Sequence, residues 1–375
     1  MNYKISHRTM MQWMVILMIF LPASLHIAGM YSYRLSILLG LLFAVFSRSF
    51  KLSLRKFIYN PLIWVYFLYT CLRYVLDGDI STGIGLVFDS VIVLFCAFES
   101  IRSIYDFRKF CNLFTNVMII YCILGLIECL TGFNLWATIT NTSLYGIRYG
   151  LHRSFGSFEN YMNNGTFLML SLVPVMWGIQ NIKGKKFIVS YVLILINILA
   201  TLTRAAILGV AILQCIWLIR AGILKSLKRH IKAVLCIGVL IIIILQLPQV
   251  KVATQAIINM FLAVLDPTLA AEMASTFGVN AKGTGERLEL YSWVWESIDN
   301  KWLGAGPTTA FGYEWITPTG STALKWSIEN QGLAVLFKYG LSGLILYIVM
   351  MFSIVRNVIR NSNSENINKI QELKP

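Results

Sequence analysis

Arg204 stands in the run Thr201-Leu202-Thr203-Arg204-Ala205-Ala206, between two long apolar stretches and with no other charge nearby. An arginine at membrane depth is costly and faces a cavity, a partner or an anionic ligand. The other reading is a guanidinium that snorkels to the headgroups from a tight turn. Upstream, Arg148, His152, Arg153 and Glu159 gather within residues 148–160. The planar fork of an arginine matches phosphate oxygens, although a single charge in such a loop is ordinarily just solvated. Arg287, in Gly283-Thr284-Gly285-Glu286-Arg287, opens a helical stretch whose free N–H groups favour an anion. Glu286 and Glu289 oppose that, and a surface Arg–Glu pair is the alternative. Glu329-Asn330-Gln331 enters the last apolar run. A carboxylate beside two amides at the edge of lipid suits a proton acceptor or a sugar-binding group; a residue favoured by the helix dipole would look the same. The chemistry these groups share is to hold an anion with fixed positive charge and to take up a proton.

Other motifs carry less. Asp77-Gly78-Asp79 spells a pair of carboxylates that holds a metal in many glycosyltransferases, but Asp and Gly are also ordinary turn formers, and no further ligands accompany it. The seven cysteines lie in or beside apolar runs without metal-ligand spacing and read as small buried hydrophobes. No phosphate-cradling glycine loop, Gly-x-Ser-x-Gly elbow or His-Glu-x-x-His is present, so nucleotide hydrolysis and serine or zinc hydrolysis lack support.

The elements that position these groups must be membrane helices. Of the 375 residues 57% are hydrophobic and 13% charged, about half the charged share of a soluble domain; the mean hydropathy is +0.69. We expect an all-α integral membrane protein, a polytopic bundle of about ten spans. They run over roughly 11–28, 31–46, 61–76, 83–98, 112–130, 161–179, 187–202, 205–219, 231–247 and 332–355. The net charge of +15 falls in short clusters between these runs, among them Arg8; Arg48 to Lys56; Arg102 to Lys109; Lys183 to Lys186; Arg220 to Lys232; and Arg356. With both termini in the cytoplasm, every cluster lands on the cytoplasmic side; this is the positive-inside pattern of a membrane protein and not a nucleic-acid surface. Residues 1–247 then form the first nine spans, 248–328 a large outer loop, 329–360 the last span, and 361–375 a polar tail expected to lack fixed structure. The outer loop is too long for a connector and is expected to fold as a helical cap. Within it Leu288, Tyr291, Trp295 and Ile298 share one helical stripe, and an irregular stretch follows from Gly304 to Thr322.

In order and spacing, four segments resemble the O-antigen polymerase and O-antigen ligase superfamily. Gly156 to Asn160 is similar to its Gly…Asn element, and Thr203-Arg204 to its Ser/Thr-Arg motif. Arg287 through Trp293 to Leu303-Gly304-Ala305-Gly306 resembles its loop pattern, and Glu329-Asn330, Leu333 and Gly340 to Gly343 the element closing that loop. Glu329 stands where the ligases carry histidine, which favours a polymerase and puts any carried-over histidine role in doubt.

The resemblance implies a GT-C-like fold in a bacterial inner membrane with its active face in the periplasm. It implies an oligosaccharide on undecaprenyl pyrophosphate as substrate, membrane lipid as surroundings, a chain-length regulator as partner, and chemistry without metal or cofactor. In that scheme Arg204 and Glu329 are catalytic, the latter as base or acceptor-orienting group, while Arg153, Arg287, Asn330 and His152 bind pyrophosphate or sugar. A ligase moving finished polymer to lipid A core is the nearest rival. A flippase for lipid-linked oligosaccharide is the rival of another class, but it should show paired halves, and none are visible.

Overall fold

Runs of Leu, Ile, Val and Phe with few charges wind into helices in the computed structural model. It describes residues 7–22, 24–27, 30–45, 61–101, 103–142, 144, 146–148, 151–158, 160–201, 203–221, 284–316, 322–325, 328 and 330–372. Three helical stretches among them are long and apolar enough to cross a membrane: Ile80–Ala97, Ile104–Thr131 and Gln331–Ile354. Shorter apolar helices occupy Arg8–Phe20, Ser32–Val45, Ile63–Leu76 and Ala205–Leu218. The expected span at 231–247 lies outside the described residues. Rows of exposed Leu, Ile and Phe, such as Leu68, Leu72, Ile120, Leu130, Leu208, Ile212 and Phe352, line these helices, a surface suited to lipid. Among the described residues, three two-stranded antiparallel hairpins accompany the helices.

The chain divides into two compact units, the first comprising Met1–Ser47 with Cys96–Val279. Its helices are α1 (His7–Phe20), α2 (Ser32–Val45), α6 (Ile104–Thr131), α7 (Leu135–Thr140), α8 (Tyr161–Asn181), α9 (Lys185–Ala200) and α10 (Arg204–Ala221). Hairpin β1 (His26–Ile27) with β2 (Met30–Tyr31) joins α1 to α2, and β3 (Ile147–Arg148) with β4 (Leu151–His152) precedes α8. The core lies where α6, α8 and α9 pack, around Tyr121, Met118, Leu168, Leu172, Phe187 and Ile194. Gly178 permits the tight α8–α9 pairing, because a Cβ there would sit 2.2 Å from the Phe187 ring.

This unit has two chemically different ends, separated by the ~42 Å length of α6. At one end Arg8 pairs with Asp106 at 2.8 Å, the Gln12 amide donates to the carbonyls of Ser100 and Asp106, and Lys186 reaches Asn116. At the other end the close of α1, α6 and α9 and the start of α8 meet a cluster of buried polar residues, described below.

The second unit comprises Arg48–Phe95 with Asn280–Pro375. It holds α3 (Pro61–Leu76), α4 (Ile80–Leu86), a π-helical turn (Val87–Ile92) leading into the start of α5 (Val93–Ser100), whose residues 96–100 belong to the first unit, and α11 (Thr284–Glu296). Hairpin β5 (Tyr313–Ile316) with β6 (Thr322–Lys325) and the final helix α12 (Gln331–Glu372) complete it.

Three expectations change here. The buried face of α11 is Leu290, Val294 and Ile298, packed on Phe311, Leu333 and Phe337, while Tyr291 and Trp295 are exposed. The stripe is therefore set by what α11 packs against, one position away from the aromatic-weighted reading. The stretch read as irregular holds strand β5 and reaches the first residue of β6, with Tyr313 paired to Lys325 and Ile316 to Thr322. The polar tail continues α12 to Glu372 instead of lacking structure, since extending an existing helix adds a bond per residue without a new nucleus.

Candidate functional site

In the first unit the site is built on residues 153–157. Every backbone N–H of this segment finds an acceptor: Arg153 on the Gly146 carbonyl, Ser154 on Ala200, Phe155 and Gly156 on the Glu128 carboxylate, and Ser157 on the Tyr121 hydroxyl. Glu128 is buried and accepts four hydrogen bonds, the remaining two from Asn134 Nδ2 at 2.6 Å and Ser154 Oγ at 3.3 Å. Asn134 also caps α7, and its amide donates to the Gly156 carbonyl at 3.0 Å. Asn164 closes the network, accepting from Tyr121 at 2.7 Å and donating to the Ser154 carbonyl at 3.0 Å. Gly156 must be glycine: its φ is 57°, and a Cβ would meet the Tyr121 hydroxyl oxygen at 2.0 Å.

The segment holds Arg153 in a buried position, with its guanidinium carbon 3.2 Å from the Tyr161 ring centroid and Nε donating to the Thr201 carbonyl at 3.1 Å. Thr201 begins the tight turn into Arg204, the first residue of α10. Two segments far apart in sequence are thus brought together, and the solvated-loop reading of Arg153 is replaced by a desolvated cation beside the start of a helix. His152 is half-buried on β4 with its ring against Gly132, at the left-handed cap of α6. The Arg204 side chain lies outside the described residues; its backbone opens α10.

In the second unit Asn330 caps α12 by accepting from the Leu333 N–H at 3.1 Å and donates to the Tyr291 hydroxyl at 3.2 Å. Arg287 belongs to α11, one turn before Tyr291; its side chain and all of Glu329 lie outside the described residues. The glycine motifs at 304–306 and 340–343 meet directly. α12 breaks at Gly340 (φ 66°, ψ −167°), which frees carbonyls and N–H groups that a continuous helix would pair. The Phe337 and Lys338 carbonyls accept from Ala305 and Gly306, while the Leu341 and Ser342 N–H groups donate to Lys301 and Trp302. Nothing larger than glycine fits the crossing, since a Cβ on Gly304 would stand 2.4 Å from the Gly340 nitrogen.

Asp77 and Asp79 are engaged by protein groups. Asp79 caps α4, accepting from Ser81 Oγ and from the N–H and hydroxyl of Thr82; those bonds hold its pKa below the usual carboxylate range. Asp77 accepts from Thr308 Oγ1 at 3.3 Å, with Arg73 at 3.8 Å. Among the described residues no group of three or more His, Cys, Asp or Glu could hold a metal ion.

The Glu128–Tyr121–Asn134 network was not anticipated. The signal existed, for Glu128 is a lone carboxylate in an apolar run, where an ionisable residue is functional by default.

A largely helical chain with apolar spans and a break-and-loop closure of its last span is a helical membrane protein. Residues 189–348 match the family model described as O-antigen ligase, which bears out the resemblance to the O-antigen polymerase and ligase superfamily. The match contains Arg204, Arg287, Glu329, Asn330 and both glycine motifs, whereas His152 and Arg153 precede it. No curated protein and no solved structure matches the chain.

Proposed function

We propose that the chain is a polymerase that joins undecaprenyl-pyrophosphate-linked oligosaccharide units into O-antigen or a related surface polysaccharide. The supporting observation is the polarity of the first unit. Arg8, Lys186 and their neighbours collect at one end, as a cytoplasmic face requires. The buried Arg153 and the backbone start of Arg204 collect at the other. In this reading the outer end receives the lipid-borne donor at the periplasmic face of the inner membrane. The acceptor hydroxyl attacks the anomeric carbon, the bond from that carbon to the phosphate oxygen breaks, and undecaprenyl pyrophosphate leaves with the electron pair. Arg204, with Arg153 and Arg287, takes up the developing negative charge, and Glu329 accepts the hydroxyl proton. Asn330 and His152 lie on the sugar side. In this reading the reaction needs no metal.

The ligase reading is favoured by the description of the matching family, and the polymerase reading by Glu329 in the histidine position. Deleting the gene separates them. Polymerase loss leaves single repeat units on the cell surface, and ligase loss leaves polymer on its lipid carrier. Unaltered chain length in the deletion strain refutes the polymerase reading. At equal protein level Arg204→Ala should lower polymerisation by about 10²–10³, the scale of losing one charge-stabilising donor. Normal ladders from both Arg204→Ala and Glu329→Ala would remove these residues from the site.

A further inference from the structure

The charge-free stretch of α12 runs from Tyr339 to Val355, between Lys338 and Arg356. Its seventeen residues rise ~26 Å, close to the ~30 Å of a hydrocarbon core, so the two cations mark where α12 leaves the lipid. The break at Gly340 falls just inside the Lys338 end. There the Leu341 and Ser342 N–H groups donate to the Lys301 and Trp302 carbonyls at 2.9 and 3.2 Å, which fixes the 300–306 turn at the height of the membrane boundary. Two further features of this turn suit lipid better than water. Its exposed side chains are apolar: Trp302 is 60% exposed and Leu303 42%, and no charge occurs from Trp302 to Tyr313. Lys301 places its ammonium on the Trp295 and Ile298 carbonyls at the end of α11. The main chain of the turn is also closed. Trp302 N–H donates to Asn300 Oδ1, those of Leu303 and Gly304 to the Asn300 carbonyl, and those of Ala305 and Gly306 to Phe337 and Lys338. The Ala305 and Gly306 carbonyls accept from Thr309 Oγ1 and N–H. A solvent-facing turn can leave such groups to water, whereas backbone in hydrocarbon must satisfy them internally.

We propose that the 300–304 turn dips into the leaflet on the Lys338 side, the outer one in the orientation given above. Trp302 then sits in the headgroup layer, where indole rings concentrate, and Leu303 among the upper acyl chains. The occupant of this surface is phospholipid. A protein partner could also cover the two side chains, but the apolar surface runs on along the spanning helix through Ile345, Ile348, Val349 and Phe352, and lipid already covers that face. The inference requires only that α12 spans the membrane, and it is independent of the choice between polymerase and ligase.

The test uses the full chain, freed of its native cysteines, in nanodiscs of phosphatidylethanolamine and phosphatidylglycerol. Spin labels go on Leu303→Cys, on Phe352→Cys as the lipid-facing control, and on Glu296→Cys, an exposed charged position of α11, as the aqueous control. Power saturation compares collisions with oxygen, which partitions into lipid, and with a water-soluble nickel chelate. Oxygen should dominate at 303 as at 352, and nickel at 296. Nickel-dominated collisions at 303 place the turn in water and overturn the proposal. An immobilised label reached by neither reagent puts protein over the turn and overturns it too. Nickel dominance at 352 would take α12 itself out of the membrane, and the proposal with it. Should the cysteine-free chain fail to fold, the native chain is measured in the same lipids brominated on their upper acyl carbons. Trp302→Phe should lower the quenched emission by about one part in ten, its share of the ten tryptophans. An unchanged quenched emission separates Trp302 from the acyl chains and overturns the proposal.

Discussion

Glu128 organises the first unit's candidate site without being one of the residues assigned to chemistry. Its carboxylate takes two consecutive N–H groups, an amide and a hydroxyl, so Glu128→Ala strands several buried donors at about 1–3 kcal/mol each. We expect a clear fall in thermal stability in detergent together with loss of polymer. Glu128→Gln should fall between the two, since one of its oxygens becomes a donor facing donors. A melting temperature equal to wild type for Glu128→Ala would show that the network carries little. Sequence reasoning singled out Arg153 and Arg204 from residue type and Gly156 through the family resemblance. It passed over Tyr121, Glu128 and Asn134, whose meaning depends on helices α6 and α7 meeting the 153–157 segment. Such a meeting leaves no trace in local spacing.

At the scale of elements, the break in α12 is the feature on which the second unit turns. Gly340→Ala places a Cβ 2.3 Å from the Trp302 carbonyl oxygen at a φ that L-residues avoid. It should abolish polymer formation and expose the loop to protease; a wild-type digestion pattern would contradict the crossing. The glycine pairs were legible as motifs, but their reason was not, because hydropathy registers residues 332–355 as one uninterrupted span. The α3–α4 turn makes a milder case. With the pKa of Asp79 lowered, its capping is complete at and above the ordinary carboxylate range of about 3.9. It fades only as pH falls through the lowered folded value. Activity should therefore be indifferent to this turn near neutrality. A chelator should leave in-vitro polymerisation unchanged, and recovery of a chelated sample by Mg²⁺ would reinstate a metal role for Asp77 and Asp79.

For the whole molecule, the test is sidedness. On a cysteine-free background, Thr131→Cys should react with a membrane-impermeant maleimide from outside the cell. Lys185→Cys should react only after the inner face is opened. The reverse labelling would leave the donor lipid on the wrong side of Arg153. Lys and Arg clusters carry the expectation of orientation that this labelling tests, and long apolar runs made the helical class readable. The span at 231–247 and the loop through residue 283 remain expectations from composition alone.

The interruption at Gly340 also bears on biogenesis. Four main-chain groups of the last apolar helix borrow partners from residues 301–306, and in hydrocarbon each unpaired group would cost several kcal/mol. Before residues 301–306 dock, the helix can satisfy the same groups only as a continuous rod. Docking then exchanges intrahelical bonds for bonds to the loop, so completion of the outer loop sets the final shape of the end of the chain after it has inserted.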